Sequence, residues 1–177
     1  MIWFRTCDDR WPFLWDGASQ PPGRWHGEGE GPVQYVADTP DGAWAEFLRH
    51  EEITDPADLE GVARGIWAVD VAMDDERARR PALDAATLRG GLDSYASCQK
   101  EARRLRERGA TAVEAPSAAL LPGGAGGQTV RDGALSEARR RDGHVLSLFG
   151  PRPGVRGWRC ALAARPHVRL LALVRHL

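Results

Sequence analysis

Three residues in the first third of the chain have types and order that suit work on an anionic substrate. Arg24 stands in the loop "PPGRWHG", Tyr35 in the alternating segment "VQYVA", and Glu46 in "AWAEFLRH". A guanidinium binds phosphate or carboxylate oxygens two at a time. The neighbouring Gly23, Gly27 and Gly29 let main chain come close to such a group. A tyrosine offers a ring for stacking and a hydroxyl for orientation. A carboxylate can stabilise developing positive charge or orient an incoming nucleophile. Taken singly, each has a plainer reading: a surface arginine, a core tyrosine and a solvated glutamate.

The elements that would position them are legible. Residues 33–37 alternate, with Val33, Tyr35 and Ala37 on one face of a strand. Thr39 is a good helix N-cap and Pro40 suits the first helical position. The helix then repeats apolar residues at Ala43 and Phe47 and, on a neighbouring row, at Trp44 and Leu48, with Glu46 between the rows. Upstream, residues 2–6 read as a strand, an aromatic segment (Trp3, Phe4, Trp11, Phe13, Trp15) reads as core, and residues 16–32 read as Gly/Pro-rich loop.

Downstream, residues 66–72 suggest a strand followed by a polar stretch. A helix is expected over 94–108, with Tyr95, Cys98 or Gln99, Ala102 and Leu105 inward and Gly109 as its C-terminal cap. Its outer face carries Lys100, Arg103, Arg104, Arg106 and Arg108, a pattern usual for a solvated surface. "TAVEA" at 111–115 predicts a strand and "PGGAGGQ" at 122–128 a flexible loop. "HVLSLF", "RCALAA" and "RLLALVRHL" predict three further strands. Strands outnumber helices after residue 110, so the class is α+β.

Composition narrows the functions. The 177 residues suit one domain, 1–177, and 42% apolar with 28% charged residues is ordinary for a globular protein. A net charge of -1 offers no general attraction to nucleic acid or to an anionic membrane. Neither a membrane-spanning run nor a secretory signal is visible. The 3 cysteines, Cys7, Cys98 and Cys160, fit neither a zinc spacing nor a disulfide framework, which favours a reduced, cytoplasmic setting. The 5 histidines are scattered, so a metal centre is not expected. There is no nucleophile-elbow triad, and "GGAGG" lacks the lysine of a phosphate loop.

"GRWHGEGEGPVQYVADTPDGAWAEFLRH" resembles the signature of the RES domain family, named for its Arg, Glu and Ser. The order of loop arginine, strand tyrosine and helix glutamate matches Arg24, Tyr35 and Glu46. "VEAPSAAL" resembles the family's Val-Pro-Ser segment and supplies Ser117, and Arg5 in "IWFR" resembles its first-strand arginine. Pro22 stands where the first loop glycine is usual, and His26 where an asparagine is usual.

The resemblance implies a single ADP-ribosyltransferase-like domain, with a split, mostly antiparallel β core flanked by helices. It implies a toxin of a bacterial toxin–antitoxin pair that cleaves the nicotinamide–ribose bond of NAD+ by hydrolysis or phosphorolysis. Transfer of ADP-ribose to a protein, or a non-catalytic interaction module, are the alternatives. Glu46, Tyr35 and Ser117 would be catalytic, and Arg24 and Arg5 would bind the dinucleotide. No cofactor is implied beyond NAD+ as substrate. The implied partner is a helix-turn-helix antitoxin protein, with no direct nucleic-acid or membrane contact. A homo-oligomer is left open.

Overall fold

The computed structural model describes residues 1–17, 19–72 and 78–177. Its centre is a seven-stranded sheet built from strands spread along the whole chain. In chain order these are β1 (Ile2–Cys7), β2 (Val33–Ala37), β3 (Arg64–Asp70), β4 (Ala78–Arg79), β5 (Ala112–Pro116), β8 (His144–Phe149) and β9 (Arg156–Ala164). Between β5 and β8, β6 (Gln128–Arg131) and β7 (Ala134–Glu137) form a separate hairpin. The sheet order is β4-β5-β8-β2-β1-β3-β9, and among the described residues only β4 and β5 run parallel.

The sheet is nearly split at its middle. β2 is fully registered with β8, and β1 with β3, yet β1 and β2 pair only through Phe4 and Ala37. Beyond that pair a side chain bridges the gap: the Arg5 Nη1 donates to Gln34 Oε1 at 2.8 Å.

Strand alternation sorts the core. Trp3, Val36, Val69, Leu146 and Leu148 form a buried cluster on one face, with Phe13 stacked on Trp67 at 5.0 Å beside it. Tyr35 lies on the other face, against Trp25, Cys98, Ala102 and Val113. The aromatic N-terminal segment therefore divides. Trp3 is core and Phe13 packs against it, but Trp11 and Trp15 on either side of Phe13 are exposed.

Helix α1 (Pro40–His50) starts as its sequence dictates. Thr39 is extended and its Oγ1 accepts from Gly42 N at 2.9 Å, with Pro40 following. Trp44, Ala45 and Leu48 bury its inner face against Leu59, Ala119, Leu120, Leu170 and Val174. A short helix α2 (Ala85–Arg89) precedes helix α3 (Tyr95–Glu107). Gly109, at φ +84, ends α3 in the left-handed conformation, which lets Ala110 N donate to Leu105 O at 3.0 Å. The basic outer face of α3 is largely paired within the chain: Arg103 and Arg106 meet Glu30, and Arg104 meets Glu101.

One expected strand is corrected. Residues 169–177 do not extend the sheet; Val168–Leu173 form a 3₁₀ turn capped by His167. Leu170 within the turn and Val174 just after it drop into the cluster around Trp44 and Leu48, and Leu171 and Leu173 pack against the same cluster. A strand would have aimed alternate leucines at water. Five features among the described residues were not foreseen: α2, β4, the β6–β7 hairpin and 3₁₀ turns at Pro56–Gly61 and Leu92–Ser94. Residues 73–77, part of the polar stretch after β3, lie outside the described residues.

Thr39→Ala removes the side-chain acceptor at the start of α1. It is expected to lower stability by about 1 kcal/mol, measured as a shift in urea midpoint at constant slope.

Candidate active site

On the face that carries α1 and α3, side chains from five segments converge. Glu46 projects from α1 and accepts from the Ser117 hydroxyl at 2.8 Å. Ser117 follows β5 and is buried, and its oxygen also accepts from Leu120 N at 3.0 Å and Ala119 N at 3.2 Å. The serine thus holds the chain in a tight turn while aiming its proton at the carboxylate.

Burial pushes the Glu46 carboxyl above its ordinary value. The Ser117 hydroxyl, the Ala119 amide and the positive charges of Arg49 and Arg24 pull it back down.

Tyr35 orders the arginine loop rather than offering a free hydroxyl. Its oxygen accepts from Trp25 N at 3.0 Å and lies 2.9 Å from His26 Nδ1. The other ring nitrogen, Nε2, is 2.9 Å from the Pro21 carbonyl, which can only accept. The network therefore assigns the proton to Nε2, and Nδ1 accepts from the tyrosine hydroxyl. Burial lowers the His26 pKa, which keeps the ring neutral as this arrangement requires. Burial likewise raises the pKa of Tyr35. Gly23 is needed here: a Cβ on it would lie 2.8 Å from the Tyr35 hydroxyl and 2.9 Å from the His26 ring.

The loop so held carries Arg24 inward. Its guanidinium is buried, sits 4.9 Å from the centre of the Tyr95 ring, and donates to Ser94 Oγ at 2.9 Å and to the Gly90 carbonyl at 2.6 Å. A second guanidinium converges on that carbonyl, as Arg49 Nη2 also donates to it at 2.6 Å.

The structure therefore brings Arg24, Tyr35, Glu46 and Ser117 to one place. It does not bring Arg5. That side chain shares the opposite face with Trp3 and Val36 and is bonded to Gln34. Sequence reasoning missed Arg49, although its spacing of three from Glu46 puts both on one helix face. It also missed the role of His26 and the Gly90 carbonyl. Tyr95 was expected to face inward, but nothing in the sequence tied it to Arg24. Among the described residues no cluster of His, Cys, Asp or Glu could hold a metal ion.

The site's residues belong to a family. The chain matches the RES domain family model over residues 2–130, and it belongs to that family. A chain of the M. tuberculosis MbcT–MbcA toxin–antitoxin complex has the same fold, with a TM-score of 0.54 at 17% identity, over 90% of this chain and 84% of that one. No curated protein matches the sequence. Among the described residues no helix is long and apolar enough to cross a membrane.

The raised Glu46 pKa has a definite sign in stability. Below the ordinary glutamate value both folded and unfolded chains hold the proton, so the group contributes no penalty. As pH rises past about 4.3, the unfolded chain ionises first and stability falls until the folded carboxyl has also ionised. Glu46→Gln is therefore expected to melt higher than the parent protein at pH 7, with the gap closing at pH 4. Thermal melts at the two pH values measure this.

Proposed function

We propose that this protein is the toxin of a bacterial toxin–antitoxin pair and that it cleaves the bond between nicotinamide and ribose in NAD+. Membership of the RES family supports the reading, as does the likeness in fold to a chain of a toxin–antitoxin complex. The observation that carries it is the half-buried Glu46 carboxylate bonded to the buried Ser117 hydroxyl, with the buried Arg24 guanidinium near enough to act on its charge.

Loss of nicotinamide, a neutral leaving group, leaves a ribose with oxocarbenium character. A carboxylate stabilises that charge and can orient the acceptor that attacks it, water or phosphate, by analogy with glycoside hydrolysis. Glu46 takes this part. Ser117 fixes the carboxylate and adds a hydroxyl to the ribose end. Arg24 meets the diphosphate, exchanging its main-chain acceptor for a phosphate oxygen, which binds a guanidinium more strongly. Tyr35 acts through the loop: its hydroxyl holds Trp25 and His26, and so sets where Arg24 points. Arg5, by its position, braces the junction of β1 and β2. The inhibitory partner is a helix-turn-helix antitoxin.

Purified protein, free of antitoxin, is expected to release nicotinamide from NAD+ in the presence or absence of phosphate. Glu46→Gln should lower that rate at least about 100-fold while keeping the far-ultraviolet circular dichroism spectrum. Absence of NAD+ loss under both conditions would sink the reading. Label from NAD+ appearing on a protein band, instead of in free ADP-ribose, would redirect it to protein modification.

A further inference from the structure

Arg49 lies outside the residues the family motif names, yet it ties three separate segments to the helix that carries Glu46. It is buried on the inner face of α1, three residues beyond Glu46. Its Nη1 donates to Ala118 O at 2.7 Å and to Arg175 O at 2.8 Å, and its Nη2 to Gly90 O at 2.6 Å. Each bond reaches a different segment. Ala118 directly follows Ser117, the donor to Glu46. Gly90 also receives Arg24. Arg175 belongs to the C-terminal segment, which lies beyond the part of the chain that matches the family model.

The C-terminal segment is a floor for the serine turn. Leu121 N donates to Leu173 O at 2.8 Å and Arg175 N to Ala119 O at 2.6 Å, while Arg175 Nη1 adds a bond to Ala118 O at 3.0 Å. These bonds fix the turn from below, and Arg49 fixes it from the helix that carries the glutamate. A planar guanidinium can hold three carbonyls at once; an ammonium on a flexible stem cannot reproduce that fork.

We propose that Arg49 is the positioning residue of this site, clamping the Ser117 turn, the C-terminal segment and the Gly90 loop onto α1 so that Glu46 and Ser117 stay in register. The proposal rests on the NAD+-cleaving reading for its kinetic consequence alone. Arg49 touches neither reacting atom; it acts through the Ser117 turn and through its charge. The other groups that face Glu46 are Arg24 from the loop before β2, Tyr35 from β2 and the Ser117 hydroxyl after β5. Arg24 still counters the carboxylate when Arg49 is replaced.

Two substitutions separate fork from charge. Arg49→Lys keeps the charge and loses the fork. Its kcat for nicotinamide release should fall at least about tenfold with little change in KM, since a small displacement of catalytic groups costs rate rather than binding. The acid limb of its pH–rate profile should stay in place. Arg49→Met loses both, so the acid limb and the Glu46 carboxyl titration, followed by 13C NMR, should both move to higher pH. A folded Arg49→Lys protein with the parent kcat overturns the proposal, as does an Arg49→Met protein whose Glu46 titration has not moved. If Arg49→Met does not fold, Arg49→Lys decides. If the parent protein leaves NAD+ intact, the functional reading fails, while the carboxyl titrations of the two variants still decide whether Arg49 acts on Glu46.

Discussion

A half-buried carboxylate and two buried guanidiniums meet on one face of a seven-stranded sheet, and the local structure is arranged around their partial or full desolvation. Burying such groups is costly unless each finds hydrogen-bond partners. Here the partners are mostly main chain. Arg24 takes the carbonyls of Thr87 and Gly90, Arg49 those of Gly90, Ala118 and Arg175, and Glu46 takes the hydroxyl of Ser117. Carbonyls are fixed by the path of the chain, so satisfying the charges also fixes the loops. Gly90 accepts from both arginines and couples the loop before β2 to α1.

His26, one departure from the family's loop signature, follows from the same need for partners. Among its described residues the loop before β2 has one isolated bridge, Gly23 with His26, and the rest of its main chain is secured largely by side chains. Tyr35 receives Trp25 N–H and donates to His26, and His26 donates to Pro21. Gln99 of α3 reaches the Gly23 and His26 carbonyls, and Glu30 accepts from Gly27 N. His26 is therefore an integral part of the loop. A neutral imidazole supplies one donor and one acceptor, which is what bridging a tyrosine hydroxyl and a carbonyl requires.

On the opposite face, the near-split between β1 and β2 is bridged by Arg5, Gln34 and the main chain of Trp15. Gln34 both accepts from Trp15 N–H and donates to Trp15 C=O. Arg5 thereby spans two half-sheets that share a single registered pair. Strand alternation decides the matter. Arg5 lies one residue from Phe4, whose partner Ala37 is in phase with Tyr35, so Arg5 must face away from Tyr35.

Much of the fold was legible because its determinants are local. The alternation of residues 33–37, the Thr39–Pro40 start of α1, the inward row of α3 and the glycine that ends it all act within a few residues. The order of Arg24, Tyr35, Glu46 and Ser117 likewise marked the family and the residues that meet. The C-terminal leucines misled because a short apolar run fits strand and helical turn alike, and only the hollow beside Trp44 and Leu48 chooses between them. What the tertiary structure alone decided is where the hydrogen bonds of the buried charges go. The facing of Arg5, the shared Gly90 carbonyl and the grip of Arg49 on Arg175 join residues up to 126 positions apart. No local preference encodes such pairings; they follow from the sheet order that brings those segments together, and from the cost of leaving a buried charge without partners.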